Sequence, residues 1–292
     1  MRKIKIIALL PILIGSFIMS IVTAEMPGMS GEIRRDYSDT QFGRVHYWTI
    51  GEGPALLLVH QSGQTSAEYL SLAPFLADTY KVIGIDLPNH GQSDTSEYEL
   101  NVDEYTDSVI DVLNHIEVDK VHVLGQHGGA TVAINMGLRY PERTDKLILS
   151  GAGREENLTE EQIQKLIDQP MTRDLPVDID GAFLKKTWSV YRKMSASKTT
   201  PEMTFRPFLT SLINRQRKYD MHYAIYRYQP NLDELKKETL LLEAEEDIYA
   251  GDVVALQKNI EGSIIKKVPA SGSWQFYEEP EINAEIITNF LN

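Results

Sequence analysis

Apolar positions along this chain fall in short runs separated by longer stretches of helical periodicity. The runs are Val45 to Ile50, Ala55 to Val59, Lys81 to Ile85, Val121 to Leu124, Lys146 to Leu149, Thr239 to Leu242 and Ser263 to Val268. Strands alternating with helices in this way predict an α/β fold, with a mainly parallel twisted sheet covered on both faces. One covering helix is plain between Val102 and Ile116: Val102, Tyr105, Val109, Leu113 and Ile116 share a face, and Asn101 with Glu104 forms a capping pair. A helix-compatible stretch follows from Ala130 to Tyr140, and Pro280 opens a closing helix that carries Ile282, Ile286, Ile287 and Phe290.

Gly153 to Lys237 breaks the alternation, since it holds no convincing strand and reads as several helices. The predicted organisation is therefore a core built from residues 32–152 and 238–292, with a helical cap inserted over 153–237. The cap is rich in aromatic and basic residues, among them Trp188, Tyr191, Phe208 and Arg227. Tyr219, Tyr223 and Tyr226 stand at i, i+4 and i+7, the spacing of one helix face packed onto the body, and together the aromatic residues give an apolar pocket its roof.

The N-terminus has a different character. Arg2, Lys3 and Lys5 precede the apolar run Ile6 to Val22, and Val22-Thr23-Ala24 offers small residues for cleavage before Glu25. Residues 1–24 read as an export signal, with an uncleaved membrane anchor as the alternative. Export would place the protein outside the cell or on the outer side of the membrane. Loss of these residues removes three basic and no acidic groups and takes the formal charge from −13 to −16. So acidic a chain, with no basic stripe, is unsuited to nucleic acid, and its only expected membrane contact is the N-terminal segment. It has no cysteine, which excludes thiolate metal sites and a cysteine nucleophile. His46, His60, His90, His115, His122 and His222 show no metal-ligand spacing, and no cofactor motif is present, so a small-molecule ligand without metal or cofactor is expected. His46, in a strand, and His115, near a helix end, read as solvated or locally bonded. Gly51-Glu52-Gly53-Pro54 reads as a turn, and the Glu155-Glu156 and Glu160-Glu161 pairs as solvated helix ends.

The chemistry concentrates at Gly125-Gln126-His127-Gly128-Gly129. A buried run leads into these glycines and a helix follows, the strand, sharp turn and helix of a nucleophile elbow, which lifts its apex side chain toward a pocket at the helix N-terminus. Further landmarks keep a fixed order: Leu57-Leu58-Val59-His60, then Asp86 to Asp94 with Asn89 at a position suited to left-handed backbone, then the elbow, then Leu240 to Asp247. From about Tyr37 to Asn292 the chain resembles the α/β-hydrolase superfamily of esterases, lactonases, epoxide hydrolases and dehalogenases.

The resemblance implies that Asp247 is the acid of a triad. It also exposes a departure: His127 stands where the nucleophilic serine belongs, and Ser273, in Gly272-Ser273-Trp274, stands where the histidine belongs. His60 is followed by Gln61-Ser62-Gly63 without the usual glycine, so Gln61 sets the width of the oxyanion loop, with Trp274 close to the substrate. The backbone N–H groups of Ser62 and Gly128 remain suited to an anion hole, which needs only main-chain donors.

Three functions fit these residues. The first is an enzyme acting on a small, largely apolar ester, lactone or related substrate, in which His127, oriented by Asp247, is a general base on water or substrate. Within it, abstraction of the Ser273 proton ranks below water activation, and direct attack by His127 ranks lower still. The second is a non-catalytic ligand- or partner-binding protein. The third is a cofactor-free lyase or isomerase, which needs only a base and an oxyanion hole.

Overall fold

The computed structural model describes residues 31–152, 158–169 and 171–292. The export segment read at 1–24 and the Glu155-Glu156 pair lie outside the described residues. Eight strands form one sheet: β1 (Arg34–Thr40), β2 (Gly43–Ile50), β3 (Ala55–Val59), β4 (Lys81–Ile85), β5 (Val121–Gln126), β6 (Thr144–Ser150), β7 (Thr239–Ala244) and β8 (Ile264–Val268), in the order β1-β2-β4-β3-β5-β6-β7-β8. The first two are antiparallel to their neighbours and the rest are parallel. Seven of the strands carry the apolar runs seen in the sequence. β1 does not, because it is an exposed edge of Arg34, Arg35, Asp36 and Asp39, whose charges protect an open edge and erase the apolar signal.

Alternate residues of the central strands enter two separate cores. Leu57, Val59, Val123 and Leu149 pack with Val109 and Leu113 of α2 (Val102–His115) and with Val132 and Met136 of α3 (Gly128–Arg139). Leu56, Leu58, Leu124 and Ile148 pack on the other face with Leu72, with Leu76 of α1 (Ala73–Leu76) and with Ile287 and Phe290 of the closing helix Pro280–Leu291. The period of two along a strand thus covers both faces. The Asn101–Glu104 capping box starts α2 as its sequence requires.

Between β6 and β7 lie α4 (Glu160–Ile167), α5 (Ala182–Met194), α6 (Pro201–Asn214) and α7 (Met221–Arg227). Two core loops hold them in place. Gln64 Nε2 donates to the Pro207 carbonyl at 3.1 Å, and Asn214 Nδ2 to those of Gly63 and Gln64, each at 3.0 Å. On the other side the Ser273 N–H donates to the Met194 carbonyl at 2.9 Å, and Trp274 stacks on Tyr191 with ring centres 5.2 Å apart. Tyr219 does not share a helix face with Tyr223 and Tyr226: Asp220 caps α7 just after it, and the Tyr219 hydroxyl donates to the Glu97 carbonyl.

The loop after β4 is locked from within. Asp86 accepts from the Ser66 N–H at 2.8 Å and the Gln92 N–H at 3.0 Å, and pairs with His46 Nδ1 at 3.0 Å. His46 is therefore buried rather than solvated, bonded to a carboxylate forty positions away in sequence. Asn89 takes the left-handed backbone its identity suits, at φ 69°.

Candidate active site

His127 occupies the elbow with φ 45° and ψ −111°, a strained backbone for a residue with a side chain. Its N–H donates to the Ser150 carbonyl at 2.8 Å, which pins the turn to the end of β6. Strand and helix approach so closely that a Cβ on Gly125 would lie 2.2 Å from the Gly129 carbonyl oxygen. The imidazole lies over Gly151, at φ +55°, where a Cβ would stand 2.3 Å from Cδ2 and 2.5 Å from Nε2 of the ring. A side chain at 151 and the histidine cannot share that space.

From there the ring reaches Asp247, in the turn after β7, with Nε2 2.9 Å from Oδ2. The other carboxylate oxygen accepts from the Tyr249 N–H at 2.7 Å. Burial alone would raise the Asp247 pKa, but the charge and hydrogen bond of His127 and the Tyr249 N–H outweigh it and hold the carboxyl below its ordinary value. Ser273 adds a small contribution in the same direction, from a position that makes no proper hydrogen bond. An ionised carboxylate only accepts, so Nε2 carries the proton of the neutral ring and Nδ1 holds the free lone pair. Nδ1 has no hydrogen-bond partner among the described residues. Tyr249 meets the ring edge-on, with centres 4.9 Å apart, and fixes its plane.

The dyad borders a cavity of about 700 Å³ between core and cap, within the size range of small-molecule sites. Gln61, Ser62, His127, Gly128 and Trp274 line its core side; Leu166, Ile225 and Tyr226 line its cap side. The backbone N–H groups of Ser62 and Gly128 donate to no acceptor among the described residues, leaving two main-chain donors beside the histidine. Gln61 is held from below: its N–H and Nε2 reach Glu68 at 3.0 and 3.1 Å, and Nε2 also reaches the Ser273 carbonyl at 3.3 Å. Burial raises the Glu68 carboxyl to about 8 despite those bonds. Gln126 Nε2 donates to the same Ser273 carbonyl at 2.7 Å.

Six of the residues singled out in the sequence thus converge: His127, Asp247, Gln61, Ser62, Gly128 and Trp274. Ser273 does not join them at the cavity. It is fully buried under the end of α5, its hydroxyl has no hydrogen-bond partner, and it is absent from the cavity wall. Sequence reasoning missed Gly151 and Tyr249, which seat the imidazole, and His222, which lines the cavity from the cap. Gly151 had a signal, a glycine directly after a buried strand; His222 had none, because Asp220 falls inside the helix that the spacing of Tyr219, Tyr223 and Tyr226 predicts. Among the described residues no group of three His, Cys, Asp or Glu side chains is arranged to hold a metal ion, and no helix is long and apolar enough to cross a membrane.

Comparison with known proteins places the fold. An uncharacterized protein of Mycobacterium tuberculosis is 34% identical over 118 residues, which span 39% of this chain and only 35% of that protein's length. A 2-hydroxy-6-oxononadienedioate/2-hydroxy-6-oxononatrienedioate hydrolase of Escherichia coli is 25% identical over 270 residues, covering 85% of this chain and 91% of that one. The fold is shared with the solved meta-cleavage product hydrolase from Pseudomonas fluorescens, at TM-score 0.69 and 21% identity over 88% of this chain and 97% of that one. The profile of the alpha/beta hydrolase fold family matches residues 54–202, and this chain, with its eight-stranded sheet, elbow and cap, belongs to that family.

Proposed function

We propose that the protein is a hydrolase of small, largely apolar esters or lactones in which His127 is a general base acting on water. The observation that carries this reading is the 2.9 Å bond from His127 Nε2 to Asp247, which leaves Nδ1 unpartnered on a residue of the cavity wall. Water held by Nδ1 attacks the substrate carbonyl as its proton passes to the ring, and Asp247 stabilises the imidazolium that forms. The N–H groups of Ser62 and Gly128 are suited to receive the oxyanion. The burial of Ser273 speaks against an exchanged Ser–His pair, because a substrate in the cavity does not reach its hydroxyl.

The same burial favours one competitor, a ligand-binding protein without turnover, since no hydroxyl nucleophile is bonded to the histidine among the described residues. A panel of short-chain esters and lactones separates the two. The hydrolase reading expects turnover that His127→Ala and Asp247→Ala each reduce at least about 100-fold while the thermal unfolding transition remains cooperative. Absence of turnover, with thermal stabilisation by an apolar ligand, supports the binding protein. Substrate loss without incorporation of water into product marks a lyase or isomerase.

A further inference from the structure

The cavity carries a second histidine–aspartate pair, in the cap. His222 Nδ1 lies 2.5 Å from Oδ1 of Asp220, the residue that caps α7. Asp220 is buried, with its side chain 6% exposed, and its second oxygen is held by Arg173, whose guanidinium is in turn anchored on the carbonyls of Arg217 and Tyr219. Burial works against the charge of Asp220, but His222, Arg173 and His90 hold its carboxyl far below the usual carboxylate range. A helix cap needs none of this. An exposed aspartate alone satisfies the first N–H groups of a helix, whereas this one is sunk into the cap and paired to an arginine.

An ionised Asp220 only accepts, so Nδ1 of His222 carries a proton and the ring presents Nε2. Nε2 has no partner among the described residues, and His222 lines the same cavity as His127. Each imidazole is packed by a tyrosine of the same cavity wall. His127 meets Tyr249 at 4.9 Å and His222 meets Tyr226 at 6.2 Å, and both tyrosines line the cavity. α7 also presses directly onto the elbow: a Cβ on Gly128 would lie 2.6 Å from a methyl of Ile225 and 2.9 Å from that of Met221, the residue before His222.

We propose that His222, backed by Asp220 and Arg173, is a second catalytic residue that protonates the leaving group of the substrate. This inference rests on the reading of His127 as the base for water. Hydrolysis then balances across the two rings. The water oxygen bonds to the carbonyl carbon as its proton passes to His127 Nδ1. The tetrahedral alkoxide reforms the carbonyl, the bond to the leaving oxygen breaks, and that oxygen takes the proton from Nε2 of protonated His222. Exchange with solvent returns a proton to His222 and removes one from His127. A division of labour between two rings suits a site whose single elbow histidine, held by Asp247 at Nε2, has only Nδ1 to offer. The substrates it fits are esters or lactones of poorly departing alcohols, whose oxygen must be protonated to leave.

The test compares two probes of similar size, benzyl butyrate, whose alcohol needs a proton to depart, and 4-nitrophenyl butyrate, whose phenolate does not. In His222→Gln, the ratio of kcat/KM for the nitrophenyl ester to that for the benzyl ester is expected to rise at least about tenfold, a modest share of general-acid catalysis. Asp220→Asn, which preserves shape but removes the charge behind the ring, is expected to move the ratio in the same direction. His127→Ala is expected to slow both esters. A purely structural role for His222 would lower both rates together and leave the ratio at its wild-type value, which would overturn the proposal while sparing the hydrolase reading. A wild-type protein that turns over neither ester overturns both.

Discussion

Replacing Gly151 by alanine tests how the elbow histidine is seated. Two costs add at this position. The backbone sits at φ +55°, where an L side chain costs about 1–2 kcal/mol. The new methyl would also stand 2.3 Å from His127 Cδ2, so the ring has to turn away and give up its 2.9 Å bond to buried Asp247. A hydrogen bond to a charged group contributes about 1.5–3 kcal/mol, which makes the expected destabilisation roughly 2.5–5 kcal/mol. Gly262→Ala isolates the backbone share: Gly262 has φ +75° and nothing within 4 Å of where its Cβ would stand. Urea unfolding of the two variants should therefore differ by the packing and hydrogen-bond share, and ester turnover should fall at least about 100-fold in Gly151→Ala alone. Equal destabilisation by the two substitutions, or full turnover in Gly151→Ala, would show that the ring is not held where the geometry puts it.

Other expectations follow from buried groups. Glu68 has its carboxyl raised to about 8 by burial, against about 4.3 in an unfolded chain. Its favourable contribution is complete below pH 4 and is lost as pH rises toward 8, so wild type should lose stability relative to Glu68→Gln over that interval; a difference independent of pH in urea midpoints would contradict this. Asp86 behaves oppositely: burial opposes its charge, but His46, His60, Gln92 and Ser66 lower it to about 2. Its contribution, on the order of 2 kcal/mol, is present above pH 4 and disappears as pH falls toward 2, and Asp86→Asn should remove that dependence from acid titrations followed by circular dichroism. Trp274→Ala removes the stack on Tyr191 and the bond from Nε1 to Ser195 Oγ at 3.0 Å. It should cost about 3–5 kcal/mol and loosen the cap, seen as faster amide exchange in α5; unchanged exchange there would argue against Trp274 as the fastening. Cleavage after Ala24 would leave a mature protein beginning at Glu25, read by N-terminal sequencing of the purified protein, whereas an intact Met1 would favour the uncleaved anchor.

The central strands were legible because they are buried on both faces and therefore read as continuous apolar runs. β1 was not, since an edge strand of Arg34, Arg35, Asp36 and Asp39 carries no such signal. The elbow was legible through its glycines, which are dictated by backbone crowding and persist whatever residue stands at the apex. What sequence could not give was the direction of side chains on loops. Ser273 stands in register with a catalytic histidine, yet the end of α5 closes over it, and only the contact between Met194 and Ser273 reveals this. Tyr249 was hidden because its partner His127 comes from the distant elbow, and His222 because the Asp220 beside it is held by Arg173, 47 positions earlier.

The proposed mechanism requires Asp247 to fix the proton of His127 on Nε2 and leave Nδ1 as the base. Nitrogen-15 NMR of the His127 ring reads this directly. In the neutral ring Nε2 should be protonated and hydrogen-bonded and Nδ1 unprotonated, with that preference lost in Asp247→Asn. A proton resident on Nδ1 in the wild-type protein, or a ring indifferent to Asp247, would contradict it.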